Sequence, residues 1–288
     1  TADASPAASD YIFLNQKMEG QNLQLLKKGT SDAETLTLSF WVKSVLTGTY
    51  IVELFDNDNA RQISKSYTID SGSTWEKKLV TFAGDTTGAL GNDNGSSLQV
   101  CWFLAVGSDY SSGSLNTSWA ANTNANRAVG QVNLANSTSN NFWITGIQLE
   151  VGEYTSSDLP PFQHESFGNN LSRCLRYYQK SYAYATAVGT NTDVGLRTTS
   201  GSAGGLTTGY LYGDIEWQVN MRAAPTVTTY DKYNGTPGDC SRLNGGVSRT
   251  DAQNISVAGI TEKNSTIESS GTANAGAIDV HWRAVAEL

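Results

Sequence analysis

The chain is poor in the residues from which catalytic and metal centres are usually assembled. Its 288 residues include two histidines and three cysteines. His164 and His281 have no second histidine or cysteine at ligand spacing. Cys101, Cys174 and Cys240 are odd in number and far apart, which argues against a disulfide framework and leaves them as small buried hydrophobes. There is no G-x-S-x-G, no P-loop and no G-x-G-x-x-G after a strand. The glycine-rich run Gly201-Ser202-Ala203-Gly204-Gly205 continues as Leu-Thr-Thr-Gly and reads as a turn. No catalytic residue, metal or cofactor is expected.

Positive charge is also scarce. Only 16% of residues are charged, and 27 acidic against 19 basic side chains give a net charge of −8. That excludes a basic stripe for a phosphate backbone and disfavours both nucleic acid and an anionic membrane surface as partners. No apolar run approaches the roughly 20 residues of a spanning helix, so no membrane insertion is expected.

What the chain does contain is β-type chemistry: 28 glycines, 13 tyrosines and seven tryptophans amid abundant Ser, Thr and Asn. The clearest strand is Thr35 to Ser44, with Leu36, Leu38, Phe40 and Val42 on one face and Trp41 and Lys43 on the other. Tyr50, Val52 and Leu54 lead to an Asp56-Asn57-Asp58-Asn59 turn, and the chain returns through Ile63 to Ile69. The turn resembles the opening of a calcium loop, but Tyr67 stands where the bidentate Glu belongs, and a hairpin turn is the better reading. Trp75, Leu79 and Phe82 are expected inward, Leu98 to Val106 as a central strand, and Gly107 to Asn126 as a long loop bearing Tyr110 and Trp119.

Phe142 to Val151 reads as a strand with Phe142, Ile144, Ile147, Leu149 and Val151 buried and a bulge at Gly146. Pro160 and Pro161 then stop both helix and strand. After Gly168, Asn169 or Asn170 is expected to cap a short helix whose stripe runs Leu171, Cys174, Leu175, Tyr178. Beyond Tyr182, turn signals around Gly189, Gly201 to Gly205, Gly235, Gly245-Gly246 and Gly271 separate short alternating runs. The last has Ile278, Val280, Trp282 and Val285 inward.

The predicted architecture is therefore all-β. A polar arm (1–10) precedes a β-sandwich (11–162), a linker with a short helix (163–181) and a second, smaller β-sandwich (182–288).

The runs ITGIQLEVG and PFQHESFGNNLSRCLRYYQKS resemble the pattern that ends the jelly-roll domain of many virion structural proteins of tailed phages, especially marine and cyanobacterial ones. The order FWVKS, hairpin, TWEKK, long loop, FWITGIQLEVG is similar to a carbohydrate-binding-module jelly roll. Thr145 and Gly146 replace the acidic pair that often stands there, which puts calcium binding in doubt.

The resemblance implies a tail fibre or receptor-binding component on the virion exterior. It would adhere to host cell-surface glycans, contact other virion proteins and assemble as a homotrimer. It also implies that this segment follows a longer N-terminal part. Alternatives are a capsid decoration or head-fibre protein and the carbohydrate-binding part of a polysaccharide-degrading enzyme.

Tyr110, Trp119, Tyr230 and Tyr233 are the candidate glycan-stacking residues, since a pyranose offers an apolar face to an aromatic ring. Capping of a sandwich end or a subunit contact is the competing role for each. Leu171, Leu175 and Tyr178 are candidates for oligomer or interdomain packing.

Overall fold

The structure, a computed structural model, describes residues 1–200, 211–244, 248–250, 255–269 and 275–288. The expected turns at Gly201 to Gly205, Gly245-Gly246 and Gly271 lie outside the described residues. The chain divides into two compact units, Thr1–Gln163 with Leu288, and His164–Glu287.

The first unit holds β1 (Tyr11–Glu19), β2 (Leu36–Ser44), β3 (Gly48–Asp56), β4 (Arg61–Ile69), β5 (Glu76–Phe82), β6 (Ser96–Val106), a one-turn helix α1 (Ser108–Ser111), β7 (Ala120–Ala121) and β8 (Phe142–Val151). They form a five-stranded sheet, β1-β6-β3-β4-β7, and a three-stranded sheet, β5-β2-β8. The inner residues of β2 and β5 (Leu38, Phe40, Val42, Val80, Phe82) share one core with Tyr50, Val52, Leu54, Tyr67, Val100 and Trp102 of the larger sheet. Phe40 meets Tyr67 and Trp102 edge-on, with centroids 5.0 and 5.9 Å apart. The unit is a β-sandwich, as period-two alternation predicts.

Details of β5 and β8 differ from the sequence reading. Val80 and Phe82 are the buried residues of β5, whereas Trp75 is exposed and Leu79 half-buried. The bulge does fall in β8 at Gly146: Ser39 pairs with Gln148 and Trp41 with Thr145, so Gly146 and Ile147 together oppose Phe40. Gly146 has φ 58°, left-handed backbone that glycine adopts without steric cost. Both bulge residues leave the ladder phase, so Ile147 faces solvent and the inward run resumes at Leu149 and Val151.

Residues 1–10 are not a free arm either. Asp3 bonds to Ala135, Asp109 to Ala8 and Gly107 to Asp10 through the backbone. A Cβ on Gly107 would lie 1.9 Å from the Ala7 carbonyl oxygen.

The segment read as a long loop is folded back on the larger sheet, where Ile51, Cys101, Phe103 and Ala128 make a second small core. Arg127, just beyond that segment, reaches the wholly buried Glu53 of β3 with Nε and Nη2 at 3.0 and 2.6 Å.

The second unit begins with helix α2 (Phe167–Leu175) and β9 (Tyr178–Lys180). The cap is Ser166, whose side chain accepts from the Asn169 N–H, so the helix starts earlier than Asn169 or Asn170 predicted. Tyr178 leaves the helical stripe altogether because it pairs with Val285 in a strand. Leu175 is buried, Leu171 half-buried, Tyr178 partly exposed and Cys174 exposed, against the expectation that all three cysteines are buried.

The remaining strands are β10 (Arg197–Ser200), β11 (Leu211–Glu216), β12 (Thr226–Tyr230), β13 (Ser241–Asn244), β14 (Ser248–Thr250), β15 (Ile255–Ala258), β16 (Asn264–Ser269) and β17 (Ala275–Val285). β17 pairs with β9, β10, β12 and β13, while β11-β16-β15 form a separate sheet. Ile215 and Ile267 from that sheet share a core with Ile278, Val280, Trp282 and Ala284 of β17. Alternation continues to Ala284 rather than switching to Val285. The described residues are all-β apart from the short helices α1 and α2.

Candidate functional site

Alternation in β2 turns Phe40 and Val42 inward and therefore Trp41 and Lys43 outward. The same geometry turns Trp143 and Thr145 outward on β8, where Trp143 pairs with Lys43 and Thr145 with Trp41. On β5, Lys77 pairs with Trp41, and Trp75 lies just before the strand begins. Three tryptophans thus gather on the outer face of one small sheet, with Trp41 and Trp75 each 42% exposed and Trp143 41% exposed. Lys43 Nζ lies 4.3 Å from the Trp143 ring centre and 5.2 Å from that of Trp75. A Cβ at Gly146 would come to 3.2 Å from Trp41 Cδ1, so the bulge glycine also makes room for this ring.

The other half of the same face is covered by the chain itself. Thr37 Oγ1 donates to the Gly152 carbonyl at 2.8 Å and accepts from the Tyr154 N–H at 3.0 Å. Gln148 Nε2 donates to the Pro160 carbonyl at 3.0 Å. Thr37 and Ser39 are consequently buried although they point outward. The tryptophan end is left open, with all three tryptophans 41–42% exposed; contiguous exposed apolar surface is the feature from which an interaction site is argued.

The residues singled out from sequence do not converge. Trp119 packs on the sandwich core, donates Nε1–H to the Ala83 carbonyl at 2.7 Å and lies with its ring 4.9 Å from Lys28 Nζ. Its role is to close the sandwich end. Tyr110 is half-buried and meets Tyr11 edge-on at 5.1 Å. Tyr230 is buried against Tyr182, which removes it as a stacking platform, and Tyr233 is half-buried with Lys232 Nζ 5.1 Å from its ring. The three tryptophans missed as a site had one signal in the sequence: Phe-Trp occurs both at 40–41 and at 142–143, each time with Phe inward and Trp outward.

His281 lies in a buried hydrogen-bond network. Ser181 Oγ lies 2.9 Å from His281 Nδ1, an arrangement that superficially suits nucleophile activation. The other ring nitrogen, Nε2, faces the Thr192 backbone carbonyl at 3.0 Å, and Tyr182 is stacked on the imidazole at 4.0 Å. This network fixes the Nε2–H tautomer. Ser181 Oγ also accepts the Trp282 N–H at 3.0 Å, which ties the hydroxyl to the backbone of β17. Among the described residues, no group of three or more His, Cys, Asp or Glu is placed to hold a metal ion.

Burial holds the His281 imidazole below its ordinary value of 6.5, although the Thr192 carbonyl works the other way. The unfolded chain therefore takes up this proton more readily than the folded one. The corresponding stability is whole above about pH 6.5 and is lost as pH falls toward the lower folded value. Urea unfolding midpoints of the second unit should drop between pH 7.5 and 5.5, and drop less in His281→Gln. An equal drop in both proteins would contradict this.

No family model matches the chain, and no curated protein matches it. Among solved structures, wild-type discoidin II from Dictyostelium discoideum is similar over 100% of this chain and 80% of that one, at 10% identity and TM-score 0.22. The native recombinant discoidin II of the same organism covers 99% and 80%, at 9% identity and TM-score 0.20. The PBSX exported protein XepA covers 99% and 85%, at 9% identity and TM-score 0.23. Scores this low transfer no residue roles, and the fold assignment rests on the strand pairings above.

Proposed function

We propose that the chain is a glycan-binding structural component of a tailed-phage virion, a tail fibre or receptor-binding part, and that the tryptophan face of the first unit holds the glycan. The observation that carries the binding role is the open cluster of Trp41, Trp75 and Trp143 around Lys43. A flat aromatic surface accepts the apolar face of a sugar, while neighbouring polar groups such as Thr145 and Lys77 meet its hydroxyls. The virion setting is supported by the sequence resemblance of residues 142–180. In that setting the protein acts by adhesion on the particle exterior, beside other virion proteins. A homotrimer would multiply weak sites into avidity.

Glycan-array binding, followed by titration monitored through tryptophan fluorescence, tests the site. Trp143→Ala should weaken binding about tenfold or more, the equivalent of about 1.4 kcal/mol. Unchanged affinity in Trp41→Ala, Trp75→Ala and Trp143→Ala would defeat the assignment. Light scattering on the same variants separates the other use of such a face: if the assembly dissociates when the tryptophans are removed, the face is a subunit contact. Antibody labelling of particles at the tail, rather than the capsid, tests the location.

A further inference from the structure

We infer that the tryptophan face selects acidic polysaccharide, a chain bearing uronate or comparable carboxylates, with Lys43 and Lys77 reading the charge. This rests on the glycan-binding reading above and names the substrate class for the same surface.

The argument is one of charge placement. The chain as a whole carries −8, yet the charged residues that the ladder sets beside Trp41 and Trp143 on this face are, among the described residues, two lysines. Elsewhere, Lys27, Lys28, Lys78 and Lys232 each have a carboxylate within ion-pair distance, and Lys65 and Lys180 donate to backbone carbonyls. Lys43 and Lys77 have none among the described residues. Lys43 is instead held between the faces of Trp75 and Trp143, where the rings keep the ammonium oriented and partly shielded from water without neutralising it. Lys77 stands across from Trp41 in the adjacent row and is exposed.

A sugar stacked on either flanking ring would bring a ring substituent to the ammonium. A carboxylate there gains a charge-assisted hydrogen bond in a setting drier than open surface, while a neutral hydroxymethyl gains only an ordinary one. A neutral polysaccharide would stack equally well on the rings but leave both ammonium charges uncompensated. The chain's overall negative field would otherwise repel an acidic polymer, so these two lysines are also its point of approach.

The test uses the intact chain and a panel of acidic polysaccharides, oligogalacturonate among them, each paired with its carboxyl-reduced form. Wild-type protein should bind at least one acidic member about tenfold more tightly than its reduced partner at low ionic strength, and the preference should shrink as salt is added. Lys43→Met with Lys77→Met should abolish the preference, so that acidic and reduced forms bind alike. Trp143→Ala should weaken both forms. Equal binding of acidic and reduced forms overturns the charge selection and leaves the glycan-binding reading standing; binding of neither across the panel overturns both. A preference that survives in the double lysine variant overturns the assignment to these residues. Circular dichroism of each variant guards against reading misfolding as lost binding.

Discussion

Lys28→Met should destabilise the first unit by about 3–5 kcal/mol, the loss expected when one partner of a buried charge pair is removed. The Lys28 side chain is 5% exposed and that of Asp56 is 0%. Its ammonium binds Asp56, lies 3.0 Å from Asp85 Oδ2, and donates to the Gly88 carbonyl at 2.8 Å and the Thr87 carbonyl at 3.3 Å. Asp85 would survive the change, because Arg61 grips both its oxygens at 2.7 and 2.9 Å. Burial works to raise the Asp85 carboxyl, but the hydrogen bonds from Arg61 and Lys28 outweigh it and hold the group below its ordinary value.

Among the described residues no second cation is hydrogen-bonded to Asp56; its ladder partner Arg61 interacts with it only through its charge. Asp56 retains only the Asn59 N–H at 3.0 Å and Asn59 Nδ2 at 2.9 Å, leaving a charge in the core. Urea unfolding of the intact chain, with exchange protection of the β3 and β4 amides as the probe, measures the loss. Lys28→Met combined with Asp56→Asn should recover much of it, and a purely additive double variant would show that lost packing, not stranded charge, is the cause.

Arg127→Met should cost a similar amount, about 3–5 kcal/mol, and should carry a pH signature. Burial pushes the Glu53 carboxyl up from its ordinary 4.5, and Arg127 is what restrains the rise. Removing the guanidinium leaves burial unopposed. The folded state then holds the Glu53 proton more tightly than the unfolded chain, so stability falls as pH rises from about 4.5 through the raised folded value. The deficit relative to the unsubstituted chain should therefore be small near pH 4 and full at pH 7.5. Arg127 also lies over Phe55 at 4.8 Å and Phe103 at 5.6 Å, so part of the loss is packing and independent of pH. A deficit equal at both pH values would mean packing accounts for all of it. Neither substitution touches the tryptophan face, and glycan binding should persist wherever the unit remains folded.

The sandwich was legible because its strands are amphipathic in the simplest way. Leu36, Leu38, Phe40 and Val42 alternate without interruption, and the Asp56 to Asn59 turn divides two runs that then pair residue for residue from Gly48↔Ile69 to Asp56↔Arg61. Where a strand is covered on both faces, alternation stops being informative. In β17, Asp279 and His281 are as buried as Ile278 and Val280, and the inward phase had to be taken from Ala284 rather than the bulkier Val285. A bulge has the same effect on prediction: Gly146 was visible, but which of the two bulge residues would leave the core was not.

The site was harder to read because exposure is a property of what lies above a residue. Trp119 and Tyr230 sit in polar surroundings in the sequence, yet Trp119 packs on the sandwich core and Tyr230 is buried. Trp41 and Trp143 sit inside the most apolar strands, yet the sheet turns them out. Composition and periodicity alone determined an all-β chain with two bodies and short of basic charge, since these follow from local chemistry and from alternation along each strand. Which aromatics remain open was decided only by tertiary structure: residues 152–161 cover half of one sheet face and stop short of the other half, and that depends on contacts between residues far apart in the chain.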